Sequence, residues 1–65
     1  MTAEQFQEWL QAMFQSNKAK TNIEVAILLG RKPNQISLYK RRGTNRTVAL
    51  ACAALLRGIK PYGEK

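Results

Sequence analysis

Between Leu29 and Asn34 the chain cannot continue as one helix. Gly30 follows the last residue of an apolar run, and glycine tolerates the positive φ at which helices end most easily. Pro33 lacks the N–H that a helix interior requires, yet it suits the first helical position. Gly30-Arg31-Lys32-Pro33 therefore predicts a tight turn between two short helices. The stretch from Thr21 to Gly43 is organised about that turn.

The helix before the turn has a readable start. Thr21 and Glu24 form the pattern T-x-x-E, in which Thr21 accepts from the N–H of Glu24 and Glu24 reaches back to the N–H of Thr21. Ile23, Ala26 and Ile27 recur at helical spacing, with Val25, Leu28 and Leu29 on flanking faces. The helix after the turn divides more cleanly. At roughly 100° per residue, Ile36 and Tyr39 fall on one side, and Asn34, Ser37, Leu38 and Arg41 fall on the other. A helix that reads base edges in a major groove needs this division, because it packs by one face and presents polar groups on the other. Lys32 falls at the cap position, where it is a poor cap.

These residues resemble the Cro/repressor-type helix-turn-helix family, also called the xenobiotic-response-element family. The family pattern is a small residue on the first helix, a glycine four residues on, a β-branched residue six later and a bulky one three after that. Ala26, Gly30, Ile36 and Tyr39 match it in register. Asn22 stands where the family often has glutamine, and Arg31 and Lys32 stand where it often has an apolar residue and serine. The turn is accordingly more basic than usual and suited to face phosphate. The cap, stop and periodicity signals along the chain, together with the resemblance, predict an all-α, compact four-helix domain with helices at about 2–15, 21–29, 33–42 and 46–57, the middle two forming the motif.

Composition fits a polyanion partner. The chain has 65 residues and a net charge of +7. Residues 1–17 carry Glu4 and Glu8 and no base, whereas residues 18–46 carry Lys18, Lys20, Arg31, Lys32, Lys40, Arg41, Arg42 and Arg46 against Glu24 alone. The excess is concentrated around the motif, as a nucleic-acid footprint is. The competing reading is a generally basic surface. With one cysteine and no histidine, an intrachain disulfide and a Cys/His zinc site are excluded. Cys52, among alanines and leucines, reads as a small core residue, and the usage fits a reducing cytoplasm. No apolar segment approaches the ~20 residues of a membrane span, and the acidic amphipathic start is not a signal peptide. No catalytic constellation, phosphate loop, cofactor pattern or effector pocket is visible, so an enzyme is not expected.

The first helix opens on Thr2 with Gln5 three residues on, and Phe6, Trp9, Leu10, Met13 and Phe14 form one apolar stripe that reads as core. Ser16 to Lys20 reads as a polar loop. Thr44-Asn45 signals a further turn or cap, after which Val48, Ala51, Cys52, Leu55 and Ile59 lie on one side of the last helix. Val48 to Leu56 is an unbroken apolar run, and a domain this small cannot surround a helix. The far face of that helix, Leu50, Ala53, Ala54 and Arg57, is expected to pair with a second copy about a two-fold axis. The competing reading is an exposed alanine-rich face on a monomer. Gly58 and Pro61 stop the helix, and residues 61–65 are expected to form a flexible tail of a single domain spanning 1–65.

The functional expectation is a sequence-specific double-stranded DNA-binding regulator. Asn34 suits adenine and Arg41 guanine, Ser37 donates or accepts, Leu38 meets a thymine methyl, and Lys32 reaches bases from the turn. Lys18, Lys20, Asn22, Arg31, Lys40, Arg42 and Arg46 are expected at phosphates. As a homodimer it would read an inverted repeat and repress by occluding a promoter. Very short members of the family are often phage or plasmid repressors, including autorepressors beside anti-CRISPR genes, and Arg46-Thr47-Val48-Ala49-Leu50-Ala51 resembles the fourth helix of such proteins. That implies a bacterial host cytoplasm and association with the nucleoid. Two alternatives stay open: an RNA-binding basic domain, and a protein-interaction module that keeps the fold.

Overall fold

The computed structural model describes residues 1–60, 62 and 63. Four helices make up the fold: α1 (Ala3–Gln15), α2 (Asn22–Leu29), α3 (Pro33–Arg42) and α4 (Arg46–Leu56). α1 packs against α3 and α4, and α2 packs against the same two helices. The all-α, four-helix class is therefore as expected. The expected tail includes Pro61, Glu64 and Lys65, which lie outside the described residues.

Local chemistry sets the boundaries. At α1, Thr2 Oγ1 accepts from the Gln5 N–H at 3.1 Å, and Gln5 Oε1 accepts from the Thr2 N–H at 2.9 Å, so Thr2 caps the helix rather than belonging to it. Thr21 likewise sits outside α2 and accepts from the Glu24 N–H at 3.2 Å. The reciprocal bond expected of Glu24 goes elsewhere. Its carboxylate accepts from the N–H of Lys20 at 2.8 Å, one residue earlier, which ties the preceding loop to the helix start. Asn45 Oδ1 accepts from the Val48 N–H at 2.9 Å and starts α4.

Three of the helices end in the same way. The N–H groups of Gly30 and Arg31 donate back to Ile27 and Ala26 at the end of α2. Asn17 and Lys18 make the same pair of bonds to Phe14 and Met13, and Gly58 and Ile59 make it to Leu55 and Ala54. This is the Schellman closure, which satisfies the last carbonyls. α4 stops at Leu56 with Arg57 as its cap, so Ile59 lies beyond the helix. It is 58% exposed and does not extend the buried stripe as expected.

The core is thin and complete. Phe6, Trp9, Leu10 and Met13 from α1 meet Val25 and Ala26 from α2, Ile36 from α3, and Val48 and Cys52 from α4. Ala19, the one apolar residue of the otherwise polar Ser16 to Lys20 loop, joins them. The Trp9 indole N–H donates to the Cys52 carbonyl at 2.8 Å, so the one polar atom of that ring is satisfied where it is buried. α2 presents Val25, Ala26 and Leu29 inward, whereas Ile23 and Ile27 are 60% and 73% exposed. The inward face is thus not the Ile23/Ala26/Ile27 set expected from spacing. Val25 and Leu29 lie one turn apart on the side that meets α3 and α4.

The turn after α3 is fixed by a close backbone approach. Gly43 has φ +83°, and a Cβ there would lie 3.0 Å from the Ala3 nitrogen and collide with the Met1 carbonyl oxygen. The Thr44 N–H donates to that same carbonyl at 2.8 Å. Only glycine meets both conditions.

Candidate nucleic-acid interface

α3 is held by one side and free on the other. Ile36 is fully buried. Tyr39 meets Phe6 edge to face at 5.4 Å between ring centroids, an arrangement aromatic pairs favour. The Gln7 side chain donates through Nε2 to the Lys40 carbonyl at 2.7 Å, which satisfies one of the carbonyls left open at the C-terminus of α3. These contacts fix both the roll and the depth of the helix against α1.

On the far side, Asn34, Ser37 and Arg41 are exposed. Leu38 is half-buried, and it is not among the partly buried residues packed on the core. The structure thus keeps all four residues on the side of α3 away from its anchors. Arg31, Lys32 and Pro33 are exposed at the N-terminal end, and Arg42 and Arg46 are exposed at the other. No side chain of Arg31, Lys32, Arg41, Arg42 or Arg46 is engaged in a hydrogen bond or ion pair among the described residues.

The start of α3 is weakly capped, as Lys32 foretells. The only reciprocal bond is a long one of 3.4 Å from the Lys32 N–H to Gln35 Oε1. Pro33 has no N–H, and the Gln35 N–H donates to the Lys32 carbonyl at 3.0 Å, so this end of α3 offers an anion chiefly the charges of Arg31 and Lys32 and the helix dipole. Lys40, Arg41 and Arg42 occupy the last turn, where cations suit the helix dipole.

Not every expected residue joins this surface. Lys40 is half-buried and lines a shallow depression with Gln7, Leu10, Gln11 and Phe14, on the α1 side of α3. Lys18 lines a groove together with Met13, Ile27, Leu28, Leu55, Ile59 and a second lysine, Lys60. Lys20 is exposed in the α1–α2 loop, and Asn22 is half-buried at the first position of α2. On α4, Leu50 is 62% exposed, Ala53 and Arg57 are exposed, and Ala54 is half-buried. The groove itself has no counterpart in the sequence reading. Its signal was present in α2, which has more apolar residues than one helical face can bury.

Cys52 is fully buried, and burial pushes its thiol up to about 11 against a smaller lowering pull from the N-terminal ammonium. At neutral pH it is a protonated, inert packing residue. No group of acidic or sulfur side chains suited to a metal ion occurs among the described residues. No described helix is long and apolar enough to cross a membrane. Comparison with protein-family models, curated proteins and solved structures returns no match to this chain.

Proposed function

We propose that this chain is a sequence-specific double-stranded DNA-binding regulator, acting as a homodimer that represses by occluding a promoter. The observation that carries the reading is the division of α3. Ile36 and Tyr39 anchor it, while Asn34, Ser37, Leu38 and Arg41 lie on the opposite side, between unpaired cations at both ends. In this reading α2 and α3 form a helix-turn-helix of the Cro/repressor type. α3 enters the major groove, where Asn34 and Arg41 offer the two bidentate side-chain chemistries for adenine and guanine.

Arg31, Lys32, Arg42 and Arg46 flank the reading side and grip phosphates, with Lys20 and Asn22 reaching the backbone near the start of α2. Lys18 and Lys40, which face other surfaces, contribute through long-range charge rather than contact. A dimer places two such helices on half-sites about 34 Å apart. Leu50, Ala53, Ala54 and Arg57 on α4 are one candidate two-fold face. The cytoplasm of a bacterial host, with a phage or anti-CRISPR operon as the regulated unit, follows from the family resemblance alone.

A paired substitution tests the assignment of roles. Arg41→Ala is expected to cost roughly 1–3 kcal/mol and to relax preference at one base position, while Arg42→Ala weakens all sequences alike. Titration of both variants against a panel of single-base duplex changes distinguishes them. Identical behaviour across the panel would refute this reading face. One observation favours the protein-interaction alternative, namely the exposed isoleucines of α2. Affinity for duplex DNA that vanishes at physiological salt would support it instead.

A further inference from the structure

The last turn of α3 is closed from outside the helix. Its Lys40 carbonyl would ordinarily accept from the backbone N–H four residues on, that of Thr44. That N–H instead donates to the Met1 carbonyl at 2.8 Å, and the Gly43 N–H goes to the Tyr39 carbonyl. The Lys40 carbonyl is therefore one of the acceptors that a helix end leaves open. The Gln7 side chain takes it, donating through Nε2 at 2.7 Å across 33 residues of sequence. Beside this bond, Phe6 meets Tyr39 edge to face. Successive residues of α1 thus hold successive residues of α3, immediately before Arg41.

We propose that Gln7 is a positioning residue for Arg41, and that it sets the base discrimination of a surface it does not itself join. The inference rests on the base-reading role proposed for α3. Its physical basis is the peptide unit. The Lys40 carbonyl and the nitrogen and Cα of Arg41 lie in one rigid plane, so a bond that fixes the carbonyl fixes the root of the Arg41 side chain. A bidentate contact with guanine must meet two acceptors at once, and a long side chain does so only from a well-held root. The two ends of the reading side differ in this respect. Asn34 follows Pro33, whose ring fixes its own φ, and precedes the buried Ile36. Arg41 is the second-last residue of α3 and is followed by the exposed Arg42, at an end where helices fray. The brace from Gln7 acts at the end that needs one.

The probes are the duplex enriched by selection from random DNA, its single-base variants, and poly(dI-dC) as a non-specific duplex, all at ~150 mM salt. Gln7 is exposed, so Gln7→Leu, which keeps the bulk and removes the donor, is expected to leave the helical circular dichroism unchanged. It is expected to lower discrimination about fivefold at the base pair that Arg41 reads, the net worth of one hydrogen bond. Discrimination at the other positions and affinity for poly(dI-dC) are expected to stay as in the wild type. Gln7→Glu, which keeps the length but turns an acceptor toward the carbonyl, is expected to lower discrimination likewise and covers the case in which Gln7→Leu does not fold. Gln7→Lys keeps a donor and is expected to retain the discrimination, because its added charge acts on matched and mismatched duplexes alike. In the Arg41→Ala background Gln7→Leu is expected to change nothing further, since the two residues act through one contact. Undiminished discrimination in Gln7→Leu overturns the inference, as does an equal loss at every position or the same loss in the Arg41→Ala background. An Arg41→Ala protein that discriminates like the wild type refutes the reading face itself, and the inference with it.

Discussion

α1 and α2 are both rich in apolar residues, and the fold treats them in opposite ways. α1 buries Phe6, Trp9, Leu10 and Met13 along one stripe and turns its glutamates and glutamines outward. α2 is more apolar per residue, yet it buries only Val25 and Ala26 and leaves Ile23, Ile27 and Leu28 in water. Hydrophobicity alone therefore does not decide burial in this chain. Position against α3 and α4 does. α1 reads as a helix that completes the core, and α2 as one that serves the core on one side and a second surface on the other.

Substitutions sharpen this contrast. Phe6 touches Trp9 and Tyr39 and is fully buried, so Phe6→Ala is expected to cost about 3–5 kcal/mol. That is most of the stability of a domain this small, and urea unfolding followed by circular dichroism measures it. Gly43→Ala attacks the seat of α1 from outside the helix. It combines a backbone conformation that costs ~1–3 kcal/mol for other residues with a collision against the Met1 carbonyl, and the urea midpoint should fall accordingly.

A pH titration probes the α1–α4 contact at Cys52. Its folded-state thiol, raised to about 11 from 9.0, stays protonated where the unfolded thiol ionises. Its contribution is unchanged below pH 9 and is lost as pH rises from 9 through 11, at up to ~1.4 kcal/mol per unit. Cys52→Ala should remove that part of the slope, and equal slopes in the two proteins would show the thiol to be accessible. The smallest effect belongs to α2. Ile27→Ala, measured at a concentration too low for self-association, should change stability by no more than ~0.5 kcal/mol. A loss as large as that at Phe6 would erase the contrast between the two helices.

The same contrast explains how much the amino-acid sequence discloses. Local signals set the boundaries well: Thr2 with Gln5, Gly30, Pro33 and Asn45 each act through bonds or dihedrals within a few residues, and the range of α3 matches its expectation. The stripe of α1 is legible because polar residues interrupt it with a helical period. α2 has too few polar residues to mark a period, so its inward side depends on where α3 and α4 lie. Ala19 is buried through a tertiary contact that no local rule anticipates, and Glu24 chooses the Lys20 amide over that of Thr21 through loop geometry. The far side of α3 was legible for the same reason as α1: apolar Ile36 and Tyr39 alternate with polar neighbours at helical spacing. The groove was not, because it forms only when α2 and the end of α4 come together.

Selection from random duplex DNA at ~150 mM salt, followed by sequencing, isolates base recognition by α3, since non-specific phosphate binding is strongly weakened at that ionic strength. The expected result is enrichment of an inverted repeat whose half-sites are one helical turn apart. An enriched single half-site would keep recognition by α3 and remove dimeric reading. A pool that emerges without enrichment would contradict the assignment of Asn34, Ser37, Leu38 and Arg41 as a base-reading surface.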